Sequence, residues 1–211
     1  MEKIWFTADT HFRHKNILRH CPERAEAGGY DINDIDTHDK WLEELWNSTV
    51  DKKDTVYVLG DFAFGPTEDA IKLLDRLKGN KNLILGNHDK TSDHIFGRFK
   101  IITNIRMQVF KKSVFDFLDE DFMVFMCHYP MVTWASKHYG SVNLHGHCHG
   151  NLDAYNEEST DLRVDVGLDG KLANFGLIDL ETVYRYMKDK AQGLSLHVYA
   201  KKKLEEHKMI T

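Results

Sequence analysis

An α/β fold is predicted by three features of this 211-residue chain. The first half alternates apolar runs of strand length with helical stripes, as layered α/β folds do. The second half is richer in strand-like runs. Hydrophobic residues make up 42% of the chain and charged residues 29%. That balance gives a core and a solvated surface to one domain over 1–211, with a peripheral extension from about 190.

KIWFTAD, at the N-terminus, reads as a short buried strand ending on a carboxylate. Its apolar part, Ile4, Trp5 and Phe6, is too short for the core of a signal peptide, and Asp9 follows at once. The segment 36–50 places Trp41, Leu42, Leu45 and Trp46 on one helical face. TVYVLGD (55–61) is a β-branched run closed by Gly-Asp. Pro66 opens a helix with Ala70, Ile71, Leu74 and Leu77 in a stripe, and Gly79 stops it. NLILGNHD (82–89), FMVFMCH (122–128), VNLHGHCH (142–149), LRVDVG (162–167) and FGLIDL (175–180) read as further strands. The tail AKKKLEEHKMIT is mixed in charge and reads as a solvated helix. No run approaches the roughly 20 apolar residues of a membrane helix. With a net charge of −5 there is no basic stripe for a long polyanion, so no extended nucleic-acid surface is expected.

Four of the runs close on Asp, Asn or His (TADTH, LGDF, LGNHD and CHYP), and a fifth carries HGHCHG. Ligands of open α/β sheets bind beyond the carboxyl ends of the strands. Five strand ends are therefore expected to bring Asp9, His11, Asp61, Asn87, His88, His128, His147 and His149 to one place. These are hard or borderline oxygen and nitrogen donors, suited to Mn, Fe, Zn or Ni. The chain has 13 His but only 3 Cys (Cys21, Cys127 and Cys148), so a thiolate-bound structural zinc is not available. The cysteines read as reduced thiols of a cytoplasmic protein, Cys127 and Cys148 being small core fillers. In extended chain, residues two apart share a face, which pairs Asp9 with His11 and His147 with His149 and turns Cys148 away. His145 has the same parity but lies deeper in its apolar run, and reads as a supporting or core residue.

DTH (9–11), GDF (60–62), GNHD (86–89), CH (127–128) and GHCH (146–149) resemble the five ordered signature blocks of the calcineurin-like metallophosphoesterases. The opening DTHFRHKNI and the chain length are similar to small stand-alone phosphoesterases of that superfamily. The resemblance implies two mixed β-sheets packed together and flanked by helices. It implies that Asp9, His11 and His149 bind one metal ion, that Asn87, His128 and His147 bind a second, and that Asp61 bridges the two. His88 would lie near the substrate without binding metal.

Elementary chemistry agrees with that picture. Two divalent ions carry four positive charges, of which Asp9 and Asp61 cancel two and a bridging hydroxide a third, leaving a pocket suited to a phosphate ester. Paired metals about 3.5–4 Å apart activate water and clamp phosphoryl oxygens together. Manganese is the favoured ion, with Fe, Zn or Ni as alternatives. His88 is the candidate general acid for the leaving group, oriented by Asp89 or another carboxylate, although Asp after Asn-His also suits a turn.

Arg13, His14 and Asn16 follow the first block and could reach the substrate phosphate or leaving group. Trp134, Lys137, His138 and Tyr139 form an aromatic, cationic loop that could stack a base or sugar, and Asp165 and Asp169 are expected to support the site without ligating. The Asp-Arg-Gly found after the Gly-Asp block in the superfamily's protein phosphatases is replaced here by GDFAFG. Phosphodiesters of nucleotide or cyclic-nucleotide type are thus favoured over phosphomonoesters. A non-catalytic metal-binding scaffold, or a mononuclear zinc hydrolase built on His145, His147 and His149, would be the alternatives.

Overall fold

The computed structural model describes residues 2–89 and 97–208. Parallel strands β1 (Ile4–Thr7), β2 (Thr55–Val58), β3 (Asn80–Ile84) and β4 (Ile101–Thr103) form one sheet, with the antiparallel β9 (Ile178–Asp179) beyond β1. The second sheet has the order β5-β6-β7-β8. It comprises β5 (Ile105–Phe110), β6 (Phe122–Cys127), β7 (Val142–His145) and β8 (Arg163–Asp165), and only β5 runs antiparallel.

Strand alternation divides the core in two. Phe6, Tyr57, Leu59 and Ile84 face the second sheet and pack with Phe122, Val124, Met126, Val142, Leu144 and Val164. Trp5, Val56, Val58 and Leu83 face the other way, onto α3 (Ile35–Thr49) through Leu42 and Trp46 and onto α4 (Thr67–Arg76) through Leu73 and Leu74. The predicted helical faces are therefore the buried ones. Asp34 starts α3 by accepting the Thr37 amide at 3.0 Å. The remaining helices are α1 (Ile17–His20), α2 (Glu23–Gly28), α5 (Asp153–Glu158), α6 (Leu180–Lys190) and α7 (Leu196–Lys208). None of the described helices is long and apolar enough to cross a membrane.

Several elements differ from expectation: VNLHGHCH is strand only over Val142–His145, and β4 and β5 were not foreseen. The run 82–89 leaves the sheet after Ile84, so GNHD is loop and not strand. FGLIDL pairs only at Ile178–Asp179, because the Asp179 carboxylate accepts the Thr182 amide at 2.7 Å and begins α6 there. The C-terminal extension is helical, but its start is not peripheral. Leu196 and Tyr199, three apart on α7, are buried in the inter-sheet core. The Leu196 amide donates to Glu120 Oε1 at 2.9 Å, and the Tyr199 hydroxyl donates to the Thr160 carbonyl at 3.1 Å. The last residues of the tail, 209–211, lie outside the described residues.

Candidate metal centre

The carboxyl ends of β1, β2, β3, β6 and β7 converge, and backbone hydrogen bonds join their exit loops. The Asp9 amide donates to the Gly60 carbonyl and the His11 amide to the Asp61 carbonyl, both at 3.0 Å. The Gly146 amide donates to the His128 carbonyl at 2.9 Å. A bridge between Ala8 and Gly167 ties the two sheets together beside the site. Asp9, His11, Asp61, His147 and His149 all have left-handed backbone, with φ between 48° and 70°. Non-glycine residues are held there at roughly 1–3 kcal/mol each. Pairing of Asp9 with His11 and of His147 with His149 thus comes from tight turns beyond the strands. Strand alternation, which the sequence suggested, plays no part in it.

Side chains from these turns surround one small volume. His11 Nε2 is 3.9 Å from Asp9 Oδ1 and 3.7 Å from Asp61 Oδ2. His149 Nε2 is 3.9 Å from Asp9 Oδ1, and His128 Nε2 is 3.5 Å from Asp61 Oδ2 and 3.1 Å from Asn87 Oδ1. The His147 ring packs 5.1 Å from that of His128. The His147 amide donates to Asp9 Oδ2 at 2.8 Å, and the His88 amide donates to Asp61 Oδ1 at 2.9 Å. Each carboxylate therefore spends one oxygen on a neighbouring loop and turns the other inward. Glycine makes these approaches possible. A Cβ on Gly146 would lie 2.3 Å from Asp9 Oδ2, and one on Gly86 would lie 2.3 Å from Asp61 Oδ1.

The donor set fits a cation. Among the described residues, Asp9 Oδ1 and both ring nitrogens of His11 are buried without a hydrogen-bond partner, a costly state unless a ligand completes them. Burial raises the Asp9 carboxyl well above the usual range, helped by Asp165 and Asp61 and opposed by the His147 amide. Burial lowers the His11 imidazole to about 2, with the Arg24 charge assisting, so its lone pair is free to bind metal. Asp9, His11 and His149 offer ligand atoms all within 4.8 Å of one another, and so do Asp9, Asp61 and His128. Asp9 belongs to both triads, and the constellation lies beyond the carboxyl ends of the strands.

The family model for calcineurin-like phosphoesterase matches residues 2–167. The chain belongs to the calcineurin-like phosphoesterases. This family membership supports metal-dependent phosphoester hydrolysis and agrees with the two mixed sheets flanked by helices. The chain is 29% identical to the Gene 66 protein of Mycobacterium phage D29 over 92% of its own length and 100% of the relative's. It is also 29% identical to the Gene 66 protein of phage L5, over 72% of this chain and 80% of that one. An uncharacterized protein of Methanocaldococcus jannaschii is 31% identical over 74% of each chain. A crystal structure of a protein of unknown function from Aquifex aeolicus shares the fold, with a TM-score of 0.62, 19% identity and coverage of 88% of this chain and 100% of that one.

Around the phosphoesterase centre, a groove of about 840 Å³ is lined by His11, His14, His88 and His149 and extends to Ile17 and Phe175. The exposed His88 ring lies over this groove against Phe64, with ring centroids 5.0 Å apart. Phe64 also stacks on His14 at 4.1 Å. The sequence reading overlooked Phe64, Phe175 and Ile17; only the position of Phe64 in GDFAFG hinted at a role.

Several expectations need correction. Asp89 does not reach His88: its oxygens accept the amides of Asp61 (2.9 Å), Phe62 (2.9 Å) and Gly86 (2.8 Å), lacing two loops together. Burial still raises its carboxyl above the usual range, against the pull of those amides. Arg13 turns away from the groove to pair with Asp69 of α4 at 3.1 Å. Asn16 sits exposed at the start of α1 and does not line the groove. The loop with Trp134 and Lys137 lines a different pocket, of about 470 Å³, against Tyr199 and Lys203 of α7. Its polar groups are engaged internally, Trp134 Nε1 to the Ser141 carbonyl at 3.0 Å and Lys137 to Asp161 at 2.7 Å.

His145 is fully buried, with Nδ1 2.8 Å from the Gly146 carbonyl and Nε2 3.1 Å from Asn156 Nδ2. Both nitrogens are thus engaged, which removes it from a three-histidine zinc site. Cys127 packs in a small apolar cluster with Phe125 and Trp134, whereas Cys148 is half-buried.

Proposed function

We propose that this chain is a dinuclear metal-dependent phosphodiesterase acting on small phosphate esters of nucleotide or cyclic-nucleotide type. The observation that carries the proposal is the position of Asp61. Its Oδ2 lies 3.7 Å from His11 Nε2 and 3.5 Å from His128 Nε2, which follow strands of different sheets. One carboxylate oxygen close to a histidine of each proposed ligand set suits a ligand shared by two cations. In this reading Asp9, His11 and His149 hold one ion, Asn87, His128 and His147 hold the other, and Asp61 serves both. Oxygen and imidazole donors in this mixture suit manganese, with Fe, Zn or Ni as alternatives. Free thiols at Cys21, Cys127 and Cys148 suit a cytoplasmic protein.

When bound, the ion pair supplies positive charge and an acidified water for attack on phosphorus. The protein supplies the rest. The packed carboxylates and imidazoles fix the donors so that little reorganisation is needed on binding. His88 is held by its own amide, which donates to Asp61 Oδ1, so its ring stays at the mouth of the site. From there the imidazole delivers a proton to the departing alkoxide, a role worth typically 10²–10⁴-fold. Phe64, packed against His88 and His14, backs the two imidazoles that line the groove. The groove volume of about 840 Å³ accommodates a second ester substituent, which supports a diester over a monoester.

The test is hydrolysis of bis-p-nitrophenyl phosphate and of p-nitrophenyl phosphate by the manganese-loaded protein, with Asp61→Asn as control. Preference for the diester, and loss of both ions in the variant, is the expected result. Preference for the monoester would refute the diesterase assignment. Retention of one ion at full occupancy in Asp61→Asn would refute the bridging role.

A further inference from the structure

Arg24 is the largest buried cation among the described residues, and none of the signature blocks contains it. It lies on α2 with no solvent exposure. Its Nε and one terminal nitrogen fork onto the two oxygens of Asp169, both at 2.6 Å. The same terminal nitrogen donates to the Asp9 carbonyl at 2.7 Å, and the other donates to the Thr10 carbonyl at 3.2 Å. Asp169 Oδ2 in turn lies 2.5 Å from His149 Nδ1.

We infer that Arg24 and Asp169 are positioning residues for one cation of the pair, the one held by Asp9, His11 and His149; this rests on the dinuclear reading above. A carboxylate only accepts hydrogen bonds. His149 therefore donates from Nδ1 to Asp169, and its Nε2, 3.9 Å from Asp9 Oδ1, is the nitrogen that would meet a cation. Cys21 Sγ lies 3.4 Å from the same Nδ1, but the 2.5 Å contact to Asp169 is much the shorter, and a sulfur is a weak hydrogen-bond partner.

Arg24 joins the two loops that supply this cation's ligands. It grips the left-handed turn at Asp9 and Thr10 directly, and it reaches His149, from the far side of the fold, through Asp169. The guanidinium fork fixes both contacts in one plane, which a lysine cannot do. Asp169 is held from two sides, by the Arg24 fork and by His149 Nδ1, so it fixes the orientation of the ligand imidazole. No side-chain hydrogen bond joins Arg24 or Asp169 to Asn87, His128 or His147 among the described residues. The direct side-chain hydrogen bonds of the pair therefore reach ligands of only one of the two sites.

The experiment is calorimetric titration of metal-free protein with Mn²⁺, comparing wild type with Asp169→Asn and Arg24→Lys. The electron paramagnetic resonance of partly loaded samples reports isolated against coupled ions. One ion is expected to bind both variants as it binds wild type. The other should bind about 10–100-fold more weakly, as changes to groups behind a metal ligand typically do. Partly loaded variants should then show the signal of isolated Mn²⁺. Adding His147→Ala to Asp169→Asn should remove the ion that remained.

Should a single variant fail to fold, Arg24→Met combined with Asp169→Leu removes both buried charges at similar volume and carries the same expectation. Unchanged binding of both ions, or equal weakening of both, would overturn the assignment. Wild type that binds fewer than two ions would refute the dinuclear reading itself, not the role of the pair.

Discussion

Gly86→Ala isolates the close contact that fixes Asp61, the proposed shared ligand. The new Cβ would lie 2.3 Å from Asp61 Oδ1 and 2.6 Å from the Asp61 amide nitrogen, whereas ordinary Cβ contacts begin at 3.4 Å. Relief requires a displacement of about 1 Å, several times the ±0.2 Å tolerance of a metal–ligand distance. Gly86 cannot simply retreat, because its amide is tied to Asp89 Oδ2 at 2.8 Å. Overpacking costs about 1–3 kcal/mol. The strained bond from the His88 amide to the charged Asp61 is worth about 1.5–3 kcal/mol. The two costs arise at one contact and do not add in full, so a stability loss of about 2–4 kcal/mol is expected. For a chain of this length that is a fall in Tm of roughly 5–15 °C. Metal affinity should drop by more than the 10–100-fold typical of groups behind the ligands. Thermal unfolding of the metal-free protein and calorimetric titration with Mn²⁺ read the two effects separately. Gly97→Ala, where a Cβ meets no atom of the described residues within 4 Å, is the control and should change neither. A Gly86→Ala protein that binds both ions with unchanged affinity would refute the reasoning.

His88→Ala should lower kcat by about 10²–10⁴-fold while metal content, measured by elemental analysis, stays at the wild-type value; loss of metal would assign His88 to ligation instead. Asp89→Ala strips the acceptor from three backbone amides and should destabilise by about 3 kcal/mol or more, at roughly 1–3 kcal/mol per orphaned group. Its kcat per folded, metal-loaded molecule should change far less than in His88→Ala, and an equal loss would restore Asp89 as the residue that orients His88. Lys190, half-buried with its ammonium on the Asn156 carbonyl, is lowered to about 8 by burial, with Arg163 assisting. Its folded form thus loses the proton more readily than the unfolded chain, whose lysine titrates near 10.4. The resulting penalty is present below pH 8 and is relieved as pH rises from about 8 toward that value. Relative to Lys190→Met, wild-type stability in urea should therefore climb over this interval, and a constant difference would refute the burial effect.

Much of the centre was legible because its chemistry is written in residue type and order. Asp9, Asp61, Asn87, His128 and His147 follow β1, β2, β3, β6 and β7, and the parallel direction of these strands brings their carboxyl ends together. The apolar stripes of α3 and α4 likewise announced the faces that bury Trp46 and Leu74. Periodicity and residue type are local properties, and they survive without knowledge of the fold.

Asp89, Arg13, Arg24 and Asp169 were decided by tertiary structure alone. Asp89 follows His88 in the chain, yet its oxygens meet the amides of a loop 28 residues earlier. Arg24 and Asp169 are 145 residues apart and form a buried ion pair that no local pattern encodes. The left-handed turns at Asp9, His11 and His149 also escape sequence periodicity, since they lie beyond the strands whose alternation seemed to explain them. Which donors exist is a property of the chain. Which donor faces which is set by how the exit loops cross, and that depends on packing two sheets around one core.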